Sequence, residues 1–307
     1  MIGKDIVSLE QFDKADIDKV LEVAAKMEKA VRSGENVNLL HRNIMASLFF
    51  EPSTRTRFSF EAAMERLGGS VLSTTGFTFS SISKGETLPD TIKTIERYAD
   101  VIVMRHPEVG SAKIAADSAK IPFLNAGDGV GEHPTQALLD FYTIKKEKGN
   151  THGLKIAMVG DLKNGRTIHS LVKLMTAYDG MEFCLVSPKE LKIPAEYVEL
   201  MKKNNVKFVE TDNLDDVIAE CDVFYMTRIQ KERFAKEADY KKVKGCFVLD
   251  NEILKKAKKD MIIMHPLPRV DEIAVEVDAD PRAKYFDQVE NGLYVRMALL
   301  ALVLKKA

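Results

Sequence analysis

The sequence predicts an α/β fold of two doubly wound domains, each a parallel sheet flanked by helices. Apolar runs of strand length alternate with helical patterns along nearly the whole chain, which is typical of parallel sheets covered on both faces. The polar stretch KKEKGNTHG at 145–153 interrupts the alternation, which then restarts. The length of 307 residues also suits two domains of roughly 150 residues each.

The first half begins with an amphipathic helix, because residues 16–31 place Ile17, Leu21, Ala24 and Met27 at helical spacing. The apolar runs that follow predict strands at 44–50, 70–75, 100–105 and 121–125. The helical patterns between and after these runs predict helices at 54–67, 89–98, 110–119 and 134–147. The helix at 54–67 carries an apolar stripe and is followed by Gly68, which is a good C-terminal stop.

The second half shows the same alternation of predicted strands and helices, without a repeated sequence. Its apolar runs predict strands at 155–159, 182–187, 206–209, 222–227, 246–250 and 261–264, with helices between most of them. The last apolar stretch, MALLALVL at 297–304, is too short to span a bilayer, and we interpret it as a buried terminal helix.

Composition and charge exclude several classes of protein. The 45 Lys and Arg residues nearly balance the 46 Asp and Glu residues, so we expect no general nucleic-acid surface and only local basic clusters. Cys184, Cys221 and Cys246 lie far apart in apolar runs, which predicts buried, reduced thiols and no metal site. The first twelve residues have no signal-peptide core. Together these features predict a cytoplasmic protein with no membrane partner.

The loops that follow the predicted strands carry the residues of chemical interest, since open parallel sheets bind ligands beyond the carboxyl ends of their strands. The stretch FFEPSTRTRFSFE at 49–61 places Ser53, Thr54, Arg55 and Thr56 at the start of a helix. Helix N–H groups, hydroxyls and a guanidinium together make a phosphate site. The alternative is that Ser53 only caps the helix and that the arginines are solvated.

Other strand-end loops supply further cations and polar groups. They are Arg105, His133 and Gln136 in the first half, and Arg166, Arg228, Gln230 and the HPLPR loop at 265–269 in the second. A planar guanidinium suits bidentate carboxylate binding. The polar segment 77–90, which contains Lys84, is equally well explained as an exposed loop.

These residues predict a transferase that joins a phosphorylated small molecule to a carboxylate-bearing one. The sequence contains no Walker A motif, no nucleophile triad and no metal-ligand set, and VGDLKNG has fewer than the three glycines that a dinucleotide motif needs. A non-catalytic anion-binding module is one alternative. A Rossmann oxidoreductase is another, and the missing glycine pattern disfavours it.

Seven motifs of the chain, taken together, resemble those of one family. They are FFEPSTRTRFSFE, SKGETLPDTI, VMRHP, NAGDGVGEHPTQALLD, MVGDLKNGRTIHSL, YMTRIQKER and MHPLPRVDEI. The chain resembles the aspartate/ornithine carbamoyltransferase family from about the first helix to the C-terminus. TRIQKER and HPLP fit the catalytic chains of the aspartate branch, whereas the SMG and HCLP elements of the ornithine branch are absent. Ornithine as the acceptor remains the alternative.

The resemblance implies transfer of the carbamoyl group of carbamoyl phosphate to L-aspartate, in pyrimidine biosynthesis, without a cofactor or a catalytic metal. It implies a carbamoyl-phosphate-binding domain at 1–133 plus 291–307, to which the last helix returns, and an aspartate-binding domain at 134–290. It further implies a homotrimer with active sites shared between subunits, and it leaves open a separate zinc-bearing regulatory chain.

The resemblance also implies the site residues. The carbamoyl phosphate set is Ser53, Thr54, Arg55, Thr56, Arg105, His133, Gln136, Pro266 and Leu267, with Ser80 of a neighbouring chain. Thr56, Arg105 and His133 polarise the carbonyl oxygen and, with Lys84, form the catalytic set. The aspartate set is Arg166, Arg228, Gln230 and Leu267, with Lys84 of a neighbouring chain. Ser81 and Ser83 are alternatives to Ser80.

Overall fold

The computed structural model describes residues 4–76, 81–129 and 131–307. The chain divides into two compact units, one of Met1–Tyr142 with Glu290–Ala307 and one of Thr143–Val289. Each contains a parallel sheet with helices packed against it, which confirms the predicted fold class. The functional boundaries predicted at residues 133 and 290 stay a prediction.

Within its described residues, the first unit has one four-stranded parallel sheet in the order β2-β1-β3-β4. Its strands are β1 (Ile44–Phe49), β2 (Ser70–Thr75), β3 (Val101–His106) and β4 (Phe123–Asp128). Its helices are α1 (Lys14–Arg32), α2 (Thr54–Arg66), α3 (Leu88–Ile95), α4 (Ser111–Ser118) and the start of α5 (Pro134–Lys148). Strands β3 and β4 are buried along their whole length, whereas the edge strand β2 is largely exposed.

The described part of the second unit holds a five-stranded parallel sheet in the order β7-β6-β5-β8-β9. The strands are β5 (Lys155–Val159), β6 (Glu182–Val186), β7 (Lys207–Thr211), β8 (Val223–Met226) and β9 (Ile262–Met264). The helices are α6 (Arg166–Met175), α7 (Ala195–Lys203), α8 (Glu237–Val243), α9 (Asn251–Leu254) and the start of α10 (Tyr285–Val303). The parallel crossovers bring all these strands to end at the same edge of their sheet.

The strand predicted at 246–250 is wrong. Phe247 and Leu249 are buried in the core of the second unit, but Leu249 forms only an isolated bridge to Ile273. The strand β9 occupies the position beside β8 instead. The apolar run at 246–250 therefore packs against the sheet rather than joining it.

The C-terminal helix α10 returns to the first unit, as predicted. Its Glu290 accepts a hydrogen bond from Arg32 Nη2 of α1 at 2.9 Å, and Arg296 Nη1 donates to Ser59 Oγ of α2 at 2.8 Å. Among the helices described, none combines the length and the apolar composition needed to cross a membrane.

The prediction of three buried thiols holds for Cys184 and Cys221 and is wrong for Cys246, which is exposed. Cys246 lies just after α8, in the segment predicted as a strand. Because that segment stays outside the sheet, its alternate side chains are not all covered.

Candidate active site

In the first unit, the N-terminus of α2 follows the carboxyl end of β1. Ser53 occupies the N-cap position with extended backbone, but its side chain makes no capping hydrogen bond. The first turn also contains no acidic residue. The helix's own side chains therefore neither cap the first N–H groups nor neutralise the positive end of the helix dipole. Such a helix N-terminus is suited to bind an anion.

The residues of the first turn of α2 differ in exposure. Thr54 and Arg55 are exposed, whereas Thr56 is buried. Arg57 is half-buried, and its Nε lies 3.8 Å from Glu61 Oε1. The second arginine of the motif is thus placed beside a carboxylate of its own helix, and Arg55 remains as the exposed cation of the turn.

Arg105 lies at the end of β3, next to β1 in the sheet, where it pairs in register with Phe49. It is 9% exposed, and its Nε donates to Glu51 Oε2 at 2.8 Å. This ion pair fixes the guanidinium beside the start of α2. Sequence reasoning assigned no role to Glu51.

The loop after β4 places His133 directly before α5. The Asp128 carboxylate accepts hydrogen bonds from Gly110 N at 2.9 Å and Glu132 N at 3.2 Å. Gly129 has a positive φ of 53°, and a Cβ there would lie 2.6 Å from the Pro107 carbonyl oxygen, so glycine is required. The loop thereby leads to His133, which is 3% exposed.

Gln136 lies in the first turn of α5 and is half-buried. Its Nε2 donates to Asp140 Oδ1, one turn further along the helix, at 2.9 Å. Sequence reasoning missed Asp140, although its spacing of four residues from Gln136 on a predicted helix was a usable signal.

Lys84 ends a short 3-10 turn at Ser81–Lys84, after the edge strand β2, and is exposed. Ser80 lies outside the described residues. Lys84 thus follows the edge strand β2 in the chain, whereas the other predicted residues of this unit lie at the ends of β1, β3 and β4 or in the segments after them.

In the second unit, the ends of β5 and β8 approach closely. Gly160 has φ of 114°, and a Cβ there would lie 2.2 Å from the Thr227 carbonyl oxygen. The loop after β5, which leads to Arg166 at the start of α6, therefore lies beside the loop after β8, which carries Arg228 and Gln230. Gln230 Nε2 donates to the Asn164 carbonyl oxygen at 3.1 Å and ties the two loops together.

Arg228 forms a two-pronged ion pair with Glu232, in which Nη1 donates to Oε2 at 3.1 Å. The hydrogen bonds to Glu232 raise the pKa of Arg228 above its ordinary value, and the hydrogen bond from Arg228 lowers the pKa of Glu232. A cavity of about 210 Å³ opens beside Arg228, lined also by Tyr240, Lys244 and Glu272. The guanidinium is thus charged and positioned beside a cavity that other charged side chains also line.

The loop after β9 contains Pro266 and Leu267, and a buried pair clamps it. His265 Nε2 lies 2.7 Å from Glu272 Oε1, and Leu267 N donates to His265 Nδ1 at 2.7 Å. Glu272 Oε2 accepts from both Val270 N and Asp271 N at 3.1 Å. Burial would raise the pKa of Glu272, but the hydrogen bonds from His265 and from the backbone outweigh burial and lower that pKa.

Each unit thus carries a set of candidate polar groups after the strands of its sheet. The first unit joins Ser53, Thr54, Arg55, Thr56, Arg105, His133 and Gln136, and the second joins Arg166, Arg228, Gln230, Pro266 and Leu267. The described residues contain no cluster of three His, Cys, Asp or Glu side chains arranged to hold a metal.

Comparison with known families matches both halves of the chain. Residues 4–146 match the aspartate/ornithine carbamoyltransferase carbamoyl-P binding domain. Residues 152–303 match the aspartate/ornithine carbamoyltransferase Asp/Orn binding domain.

Individual relatives match over almost the whole chain. An aspartate carbamoyltransferase catalytic subunit of Thermococcus onnurineus is 51% identical, covering 98% of this chain and 97% of the relative. The crystallised catalytic subunit of M. jannaschii aspartate transcarbamoylase is 49% identical with a TM-score of 0.92, covering 98% of each chain. The Trypanosoma cruzi aspartate transcarbamoylase in complex with carbamoyl phosphate and aspartate is 47% identical with a TM-score of 0.92, covering 97% of this chain and 96% of that one. The chain therefore belongs to the aspartate/ornithine carbamoyltransferase family.

Proposed function

We propose that this protein is an aspartate carbamoyltransferase, which transfers the carbamoyl group of carbamoyl phosphate to the amine of L-aspartate. The amine nitrogen forms a bond to the carbamoyl carbon, and the bond from that carbon to the phosphate oxygen breaks. The phosphate leaves with the electron pair, and the amine releases one proton to water. The products are N-carbamoyl-L-aspartate and inorganic phosphate, and the reaction belongs to pyrimidine biosynthesis.

One observation carries this proposal. The adjacent strands β1, β3 and β4 end at one edge, where the uncapped start of α2 lies beside Arg105 and the loop that carries His133. Ser53, Thr54, Arg55 and Thr56 bind the phosphate, which brings about two negative charges. Thr56, Arg105 and His133 face the carbonyl oxygen, where negative charge grows during attack. Preorganised donors at such a position each supply about 100- to 1,000-fold in kcat.

The carbamoyl nitrogen and the aspartate are bound by the remaining residues. Gln136 and the carbonyl oxygens of Pro266 and Leu267 accept from the carbamoyl N–H groups. Arg166 and Arg228 bind the two aspartate carboxylates, with help from Gln230 and Leu267. The cavity beside Arg228 and the hydrogen bond from Gln230 to the Asn164 loop support this assignment.

The assignment of units follows from these residues. We infer that the domain at 1–133 with 291–307 binds carbamoyl phosphate and that the domain at 134–290 binds aspartate. The matches to a carbamoyl-P binding domain at 4–146 and to an Asp/Orn binding domain at 152–303 support this order.

We further propose that the protein is a homotrimer whose active sites are shared. Around the edge strand β2, the first unit exposes Leu72 and Phe58 at 51% and 54%. Native proteins cover exposed edge strands and apolar patches, and a second copy of the chain would do so. Lys84 and Ser80 follow β2 and would then enter the neighbouring chain's site. A cytoplasmic location and a zinc-bearing regulatory chain stay predictions.

The test measures phosphate release from carbamoyl phosphate with aspartate, with ornithine and with no acceptor, and identifies the product by mass spectrometry. We expect N-carbamoyl-L-aspartate with aspartate only, and a trimer by sedimentation. The Arg55→Ala variant should lose at least about 100-fold in kcat/KM. The exposed Arg97→Ala variant, on the same unit, is the matched control. Release that is unchanged by aspartate would refute the proposal, and N-carbamoylornithine would assign the ornithine branch.

A further inference from the structure

The proposed function does not use the buried charge of Arg296. This residue is 4% exposed on the apolar helix α10. Its guanidinium donates to Ser59 Oγ at 2.8 Å and to Thr135 Oγ1 at 3.5 Å, and it lies 5.1 Å from the centre of the Phe60 ring. Burial lowers the pKa of Arg296 to about 10, and the nearby Asp140 carboxylate opposes that shift. The guanidinium therefore stays protonated at neutral pH.

The helix makes space for this guanidinium. Gly292 lies one turn before Arg296, and a Cβ at Gly292 would lie 2.7 Å from Arg296 Nη1 and 3.1 Å from Leu139 Cδ2 of α5. Placing opposite charges near each other in the interior is weak support for stability, because desolvation offsets most of their attraction. The contacts of Asp140 therefore indicate its role better than its charge does.

Asp140 contacts a residue of the proposed active site. It is fully buried, and its Oδ1 accepts the hydrogen bond from Gln136 Nε2 at 2.9 Å. An ionised carboxylate can only accept hydrogen bonds, so it selects the NH2 end of the Gln136 amide. The amide oxygen, Oε1, then points away from Asp140. Among the residues described, Oε1 accepts no hydrogen bond.

The orientation of this amide decides which acyl phosphate fits. With Oε1 presented, Gln136 accepts a hydrogen bond from a substrate that carries N–H on its acyl carbon. With the amide reversed, it presents a donor and repels the same N–H group. A site built to bond an N–H rejects an analogue that lacks it, because a polar group is left unpaired.

We propose that the buried Asp140 is a positioning residue that orients Gln136 so that the site selects carbamoyl phosphate over acyl phosphates without N–H. This inference rests on the proposed role of Gln136. Acetyl phosphate is the probe, because a methyl group replaces the NH2 group while the rest of the molecule is unchanged.

The experiment compares binding of carbamoyl phosphate and acetyl phosphate by calorimetric titration of the whole protein, and kcat/KM for each with aspartate. In Asp140→Asn, the asparagine side chain can pair with either end of the Gln136 amide. We expect the preference for carbamoyl phosphate to fall about tenfold, with acetyl phosphate binding changed less than about twofold. In a Gln136→Leu background, the same substitution should leave the preference unchanged, because no amide remains to be oriented.

A purely structural role predicts a different outcome. Asp140→Asn would then weaken both acyl phosphates equally, and would do so equally in the Gln136→Leu background, and either result overturns the inference. If Asp140→Asn does not fold, the double variant Asp140→Asn/Arg296→Met removes both charges, leaves no unpaired ion and makes the same comparison.

Failure of the proposed function gives a separate result. A wild-type protein that binds both acyl phosphates equally overturns the inference even if it forms N-carbamoyl-L-aspartate. A wild-type protein that prefers carbamoyl phosphate but never forms that product overturns only the proposed function.

Discussion

Replacing Glu272 by glutamine tests the clamp on the loop after β9. The Glu272 side chain is 5% exposed and accepts hydrogen bonds from His265 Nε2, Val270 N and Asp271 N. His265 Nδ1 accepts from Leu267 N, so the neutral ring carries its proton on Nε2. All three partners of Glu272 are therefore donors. An amide of the same size offers them one oxygen and one NH2 group, which is itself a donor.

The loss of stability in Glu272→Gln follows from the hydrogen bonds that the glutamine amide cannot make. If its oxygen keeps Val270 N and Asp271 N, its NH2 group faces the N–H of His265 and one buried hydrogen bond is lost. Leaving a buried donor unpaired costs about 1–3 kcal/mol. For a unit of this size, each kcal/mol lowers Tm by about 2–4 °C, so we expect Tm to fall by about 2–12 °C.

Activity should fall as well, because the clamp holds Leu267 in the left-handed region at φ 53°. A non-glycine residue keeps this conformation only where its surroundings impose it, at about 1–3 kcal/mol. A loosened loop would misplace the Pro266 and Leu267 carbonyl oxygens, and we expect kcat/KM for carbamoyl phosphate to fall at least about tenfold.

The effect on stability should also depend on pH. The folded pKa of Glu272 is lowered below its ordinary value of 4.5, so its stabilisation is present above that value and is lost as pH falls through the folded pKa. The difference in unfolding free energy between wild type and Glu272→Gln should thus be constant near neutral pH and shrink below about pH 4.5.

Denaturant unfolding from pH 3.5 to 8 and steady-state kinetics measure these effects. Glu276→Gln makes the same change at an exposed position in the same segment, and we expect it to stay within about 0.5 kcal/mol of wild type. If Glu272→Gln matches this control in stability and in kcat/KM, the clamp does not hold the loop.

Three further predictions concern the first unit and the subunit contact. Arg105→Ala should lower kcat by at least about 100-fold in the phosphate-release assay, and a normal kcat would remove its role. Lys84→Ala and Arg55→Ala subunits, each inactive alone, should regain activity in mixed trimers if sites are shared, and inactive verified hybrids would contradict a donated loop. Deleting residues 291–307 removes the Arg296 contact to Ser59 and buried apolar side chains, so a stable, active product would contradict the docking of α10.

The sequence predicted most elements of the fold because strand and helix leave different apolar periods. The predicted helix at 54–67 and strand at 70–75 correspond to α2 at Thr54–Arg66 and β2 at Ser70–Thr75. The strand predicted at 246–250 is wrong, because a short apolar segment buried beside a sheet has the same sequence pattern as a strand within the sheet. Only the pairing of β9 with β8 decides between them.

The positions of the candidate site residues followed from the same rhythm, because parallel strands place the residues that come after them at one edge. The strand and helix pattern did not predict the roles of four further residues, Glu51, Asp140, Glu272 and Arg296. Each acts through a partner distant in sequence or on another turn of a helix, and a single charged residue in a sequence is far more often solvated. Their hydrogen bonds in the structure, and not their residue types, show that they are paired.

The sequence by itself determined the alternation of strands and helices, the cationic and hydroxyl-bearing turn at the start of α2, and the family motifs. These are local properties, because they depend on residues that are close together in the sequence. Only the tertiary structure decided the strand order, the place of residues 246–250, and the docking of α10 against α1 and α2. Those features depend on contacts between residues far apart in the chain, such as Arg296 with Ser59, whose energies appear only when the chain is packed.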